Sequence, residues 1–136
     1  MKRAATVAGV SAIAPAAFSA GRRPLGPNEQ ITVAGIGLGP RGRQILQPFL
    51  KHPEVRFVAI ADVQQSRSEI IRRTVNRHYG NEDCQTYIDM REIFERDDID
   101  AVVIATSDRW HGTASILAAR AGKDIYCEKP CTMSIE

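Results

Sequence analysis

The apolar and polar positions of this chain change period block by block, and each change predicts an element. Ile31–Ile36 is a near-continuous apolar run, as expected for a central parallel strand buried on both faces. Over 40–50 the period becomes helical, with Ile45, Leu46, Phe49 and Leu50 on one stripe. Pro40 suits a first turn, where its missing N–H costs nothing. Pro48 predicts a kink or early end, because an interior proline removes a hydrogen bond at a cost of about 3 kcal/mol. A His52-Pro53 turn leads into a second strand, Val55–Ala61. A helix over 66–79 follows, with Ile70, Ile71, Val75 and Tyr79 inward and Arg67, Arg72, Arg73 and Arg77 in solvent; Gly80 and Asn81 end it. A short strand is expected over 84–87. Asp89-Met90-Arg91-Glu92 has capping-box spacing for a helix reaching Arg96. The fourth strand spans 100–105, a helix spans 111–121 and closes at Gly122, and the fifth strand is Asp124–Cys127. Thr132 or Ser134 then reads as the N-cap of one more helix, as though the chain were cut short there.

Strands alternating with helices, without an internal repeat, predict an α/β fold: a doubly wound parallel sheet with right-handed crossovers and strand order 3-2-1-4-5. The 136 residues leave room for one domain of ordinary size, placed at 31–136. Residues 1–20 read as an export signal. Lys2 and Arg3 precede a charge-free Ala/Val/Gly/Ser run, and Ala17-Phe18-Ser19 offers small residues for cleavage. That run is only mildly apolar and contains Pro15, so no membrane span is expected. Low hydrophobicity suits the twin-arginine route, although Arg22-Arg23 lies downstream of the apolar run. Export by such a signal, or otherwise a cytoplasmic location, is the expectation. Residues 21–30 read as a linker.

Charge narrows the function classes. The net charge is +2, but residues 1–30 carry four basic groups against Glu29, so the remaining chain is at −1. A nearly neutral body gives no electrostatic reason to bind nucleic acid. Cys84, Cys127 and Cys131 form no CxxC pair and read as free thiols. His52 and His78 have no metal-ligand spacing, and no metal site is expected.

Gly37-x-Gly39-x-x-Gly42 opens the first predicted helix directly after a strand. In a dinucleotide fingerprint the first glycine permits the tight turn and the second lets the backbone approach a pyrophosphate. The third lets helix and strand pack closely. Asp62, 20 positions beyond Gly42, ends the second strand, where a carboxylate accepts from ribose hydroxyls and repels a 2′-phosphate. That favours NAD, with NADP as the alternative because Arg67 lies one helical turn away. After the fourth strand, Thr106 and Ser107 offer hydroxyls and backbone groups to a nicotinamide ribose; Trp110 offers a flat face, and His111 a polar edge at a helix start. Glu128-Lys129-Pro130 follows the fifth strand on the same edge. Lys129 there is a cation for the oxygen whose charge changes in hydride transfer.

Gly37-Leu38-Gly39-Pro40-Arg41-Gly42, Asp62, the Thr106-Ser107 strand end with His111, and Glu128-Lys129-Pro130 together resemble the glucose–fructose oxidoreductase / inositol dehydrogenase (Gfo/Idh/MocA) family over 31–136. The resemblance implies an N-terminal Rossmann domain binding NAD(P), followed by a C-terminal α/β domain that binds substrate and mediates homo-oligomers. That second domain is missing from these 136 residues. It also implies hydride transfer between nicotinamide and a sugar or polyol, with Lys129 catalytic. Gly37, Leu38, Gly39, Arg41, Gly42, Asp62, Thr106, Ser107, Trp110, His111 and Glu128 are then the cofactor-binding set. Ser107 stands where the family usually has proline. The family's downstream histidine and its acidic or tyrosine partner are not in this sequence, so the chain alone is expected to be inactive. An NAD-retaining glycosidase of the same family and a non-catalytic dinucleotide-binding module are the alternatives.

Overall fold

The computed structural model describes residues 29–133. The signal-like segment 1–20, most of the linker 21–30 and the Ser134 cap lie outside the described residues. The elements are β1 (Ile31–Ile36), α1 (Pro40–Lys51), β2 (Val55–Ala61), α2 (Gln65–Tyr79), β3 (Gln85–Tyr87), α3 (Arg91–Phe94), β4 (Ala101–Ile104), α4 (Asp108–Arg120) and β5 (Asp124–Cys127). All paired strands are parallel, in the order β3-β2-β1-β4-β5. The expected doubly wound sheet is therefore the fold.

Burial on both faces explains the unbroken apolar strands. On one face Val33, Phe57, Ile60 and Val103 pack with Leu46 and Leu50 of α1 and Ile71 and Val75 of α2. On the other, Ala34, Ala59 and Ala61 lie with Ile93, Ala114 and Ala118, small side chains that let α4 lie close to the sheet. Within β1 alternate residues serve opposite faces, the period of two that a strand imposes.

Several local expectations need correction. Pro48 does not end α1, which runs on to Lys51; its ring lies in solvent while Leu50, just beyond, is buried. Docking of that last turn outweighs the one lost hydrogen bond. In α2 the inward stripe is Ser68, Ile71, Val75 and Asn76, and Ile70 is half exposed. Tyr79 is half-buried, and its hydroxyl accepts the Phe57 N–H at 3.1 Å and donates to the Val55 carbonyl at 3.3 Å. It thereby holds the first half of β2, where the three-residue β3 has no pairing to offer. Asn76 was not singled out by sequence, yet its buried amide accepts from the Cys84 N–H and donates to Glu82, closing the turn after Gly80. The third strand begins at Gln85 because Cys84 is spent on that turn.

The capping box does not form. Asp89 accepts the Arg91 N–H through its side chain at 2.9 Å, and α3 is a single turn rather than a helix to Arg96. The fourth helix starts at Asp108, three residues earlier than expected, with Ser107 as N-cap. His111, three and seven positions before Ala114 and Ala118, shares their inward stripe.

Burial pushes the Cys84 thiol up to about 12, whereas Cys131 is exposed. A thiol-reactive disulfide at pH 8 is expected to modify Cys131 quickly and Cys84 only after unfolding. Two-phase labelling read by mass spectrometry, with Cys84 in the slow phase, checks this. Enlarging the close face, as in Ala118→Leu, is expected to destabilise the fold by about 1–3 kcal/mol in urea denaturation.

Candidate functional site

The strand order reverses between β1 and β4, where their following connections diverge to opposite faces and leave a crevice at the carboxyl edge. A cleft of about 650 Å³ opens there, bounded by the ends of β1, β2 and β4. That size suits a bound small molecule. Gly37, Gly39, Arg41, Asp62, Thr106 and Trp110 line it, with Ser107 and Arg67 beside them.

The three glycines have different surroundings, each matching one mechanical task. Gly37 has φ +68°, and a Cβ there would overlap the Thr106 backbone. A Cβ on Gly42 would meet Leu38 Cδ2 at 2.9 Å, so this glycine is needed for helix–loop packing. Gly39 faces open space, with only the Arg67 guanidinium 3.7 Å away. No protein group fills the room above it, and the N-terminus of α1, with its unpaired N–H groups, begins there. This is a cradle of the right form for the pyrophosphate of a dinucleotide. Leu38 is almost fully buried under the loop and acts as its anchor, not as part of the cleft wall. Gly35, ahead of the fingerprint, also makes way for Leu38, since a Cβ there would meet Leu38 Cγ at 2.8 Å.

Asp62 is 7% exposed on the cleft side. Its Oδ1 accepts the Gln64 N–H at 2.8 Å and its own N–H bonds the Tyr87 carbonyl at 3.1 Å. The carboxylate is thus pre-oriented, and among the described residues no protein group donates to Oδ2. Trp110 is 51% exposed on the first turn of α4, its ring available to a ligand. Sequence reasoning missed the far wall, where Ile88, Met90 and Arg91 face the cleft. The available signal was an isoleucine immediately after a strand, on the edge where ligands sit; Ile88 is 65% exposed.

Two of the expected cofactor ligands face elsewhere. His111 is 2% exposed, with Nδ1 at 2.7 Å from the Pro130 carbonyl oxygen and Nε2 at 3.1 Å from that of Thr106. Carbonyls only accept, so a neutral ring serves one of them and a protonated ring both. Glu128 is also buried, and its carboxylate accepts from Arg41 Nη2 at 3.0 Å. That charge-assisted bond draws the Glu128 carboxyl below the usual glutamate range and raises Arg41. Lys129, the residue after Glu128, is exposed, and no carboxylate pairs with its amine among the described residues. Among those residues no group of His, Cys, Asp and Glu is arranged to hold a metal, and no helix is long and apolar enough to cross a membrane.

Residues 31–136 match the family described as oxidoreductase family, NAD-binding Rossmann fold. A scyllo-inositol 2-dehydrogenase (NAD(+)) of Bacillus subtilis is 33% identical over 108 residues, which cover 79% of this chain and 30% of that protein. A glycosyl hydrolase family 109 protein 1 of a Shewanella species is 32% identical over 111 residues, covering 79% of this chain and 24% of its own length. Among solved structures, myo-inositol 2-dehydrogenase from Lactobacillus plantarum superposes with a TM-score of 0.68 at 26% identity, over 78% of this chain and 30% of that one. The chain therefore spans about a quarter to a third of the length of these relatives.

Gly39→Ala is expected to melt like the parent, because its Cβ meets no backbone, while losing at least about tenfold in NAD affinity by calorimetry. Gly37→Ala is expected to lower the melting temperature itself, since left-handed strain there costs about 1–3 kcal/mol. Equal melting temperatures for the two variants would contradict this division of labour.

Proposed function

This chain belongs to the Gfo/Idh/MocA oxidoreductase family, and from that premise we propose that residues 31–136 are the NAD-holding part of a longer enzyme that oxidises a sugar or polyol hydroxyl. The single observation that carries the reading is the glycine cradle, open above Gly39 and closed at Gly37 and Gly42, with a pre-oriented Asp62 across the cleft.

The bound dinucleotide supplies the hydride acceptor. The residues of this chain do the rest. Gly39 and the start of α1 take the pyrophosphate, with the Arg67 cation beside it. Asp62 accepts from the adenosine ribose and disfavours a 2′-phosphate, so NAD is preferred over NADP. Thr106, Ser107 and Trp110 form the wall for the nicotinamide end. Lys129 stands at the reacting oxygen, where its ammonium donates a hydrogen bond to that oxygen or helps shuttle the hydroxyl proton to the acid–base groups as the carbinol hydrogen passes to the acceptor as hydride. The remaining acid–base groups and the polyol contacts belong to the substrate domain, which also forms the homo-oligomer. Residues 1–20 serve as the export signal of the loaded enzyme, and 21–30 as its linker.

The identity with a glycosyl hydrolase family 109 protein favours one other reading, a glycosidase that keeps its NAD and uses transient oxidation to expel a leaving group. The two differ in their products. A polyol dehydrogenase accumulates NADH absorbance with substrate, whereas the glycosidase releases sugar with no net NADH.

In the enzyme carrying both domains, Lys129→Met is expected to lower kcat by about 10²–10⁴-fold with NAD affinity little changed. Full turnover in that variant would remove Lys129 from the reaction. Asp62→Ala is expected to weaken NAD and narrow its advantage over NADP in parallel titrations. An unchanged NAD:NADP ratio would assign the preference to another residue.

A further inference from the structure

Backbone pairing holds the segment that presents Lys129 at one end only. The last β4–β5 pair is Ile104 with Cys127, and the ladder finishes with the Glu128 N–H on the Ile104 carbonyl at 2.9 Å. Past that point the chain has no strand neighbour. Two side chains from distant parts of the sequence take over. Arg41, 87 residues upstream on the first turn of α1, donates to the Glu128 carboxylate at 3.0 Å. At the other end, His111 of α4 meets the Pro130 carbonyl at 2.7 Å, and its second nitrogen meets Thr106. The chain then passes Gly112, with the Cys131 carbonyl oxygen 3.7 Å from where a Cβ on Gly112 would stand.

These contacts share one geometric result. Glu128 is fixed to Arg41 of α1 and Pro130 to the buried His111 of α4, and the residue between them is exposed. A lysine carries about 2 kcal/mol of rotamer entropy on its own, so a loose turn would spread its amine over many positions. Holding a reacting group in place is worth much of a barrier.

We propose that Arg41 and His111 are positioning residues for Lys129, clamping segment 128–130 from opposite ends. This rests on the reading of Lys129 as the group beside the reacting oxygen. Arg41 acts through the Glu128 carboxylate, and His111 through the Pro130 carbonyl. Glu128 is then a structural acceptor and not a cofactor ligand. Because Arg41 also lines the cleft beside the glycine cradle, the seat of the pyrophosphate and the seat of the lysine share a side chain.

The test is nitrogen-15 relaxation on the 136-residue chain, followed at the Lys129 amide. In the parent it is expected to be as ordered as β5. In Arg41→Ala and in His111→Leu its order parameter is expected to fall below about 0.6, while amides of β1 and α4 keep theirs. Arg41→Lys, which still donates to Glu128, is expected to restore part of the order. Should His111→Leu fail to fold, Arg41→Ala, at a guanidinium side chain that is 62% exposed, carries the test alone. A Lys129 amide that stays ordered in Arg41→Ala overturns the clamp. In the two-domain enzyme, Glu128→Gln is expected to lower kcat at least about tenfold with NAD dissociation within about threefold. Parallel loss of NAD affinity makes Glu128 a cofactor ligand and overturns the proposal. The Lys129 reading is judged apart. If Lys129→Met keeps full turnover while Arg41→Ala still disorders the Lys129 amide, that reading has failed and the clamp stands.

Discussion

The tightest constraint in this molecule is the passage of the chain at Gly37 across the end of β4. A side chain of any size there would overlap Thr106, and the backbone must turn with a positive φ. Everything at the carboxyl edge follows from that near-contact. It delivers α1 to one face with its N-terminus beside the crevice, and it lets Leu38 drop beneath the loop into the core. It also brings Thr106 level with the loop, so the wall after β4 and the cradle after β1 confront each other across one opening.

The two faces of the sheet share the remaining work unequally. The α1/α2 face is filled by large side chains such as Phe57, Leu46 and Ile71, giving a thick core. The α4 face is lined by alanines and a few isoleucines, so that helix sits close. His111 of that helix is carried into the interior, where the ring has two carbonyl oxygens, of Pro130 and Thr106, to donate to. Buried polar groups elsewhere are satisfied in the same manner: Asn76 by Cys84 and Glu82, and Glu128 by Arg41.

Electrostatics concentrate where the chemistry is expected. Arg41 and Arg67 line the crevice from two helices, and Asp62 lines it just past the end of β2, whose Ala61 carbonyl accepts the Gly37 N–H. The Arg41 guanidinium is committed to Glu128, while Arg67 has no ion pair among the described residues. Two guanidinium groups and a carboxylate thus line one crevice beside the glycine loop.

Sequence by itself determined the sheet order and the cradle. Buried parallel strands must be apolar throughout, and a glycine at a tight turn leaves its mark in the chain whatever surrounds it. For the same reason Gly37, Gly39, Gly42, Asp62 and Lys129 were legible at their positions along one edge. Tertiary structure decided which of the remaining residues face the ligand. His111 read as a cleft residue, but it stands three and seven positions before Ala114 and Ala118 and lies on their buried stripe. Glu128 read as part of the cofactor-binding set, and the structure buries its carboxylate against Arg41, 87 residues away. Ile88, Met90 and Arg91 entered the far wall only because β2 and β3 pair there. Local pattern encodes period and turn chemistry. Which group meets which across a cleft depends on helix phase and long-range pairing, and no short stretch of sequence contains either.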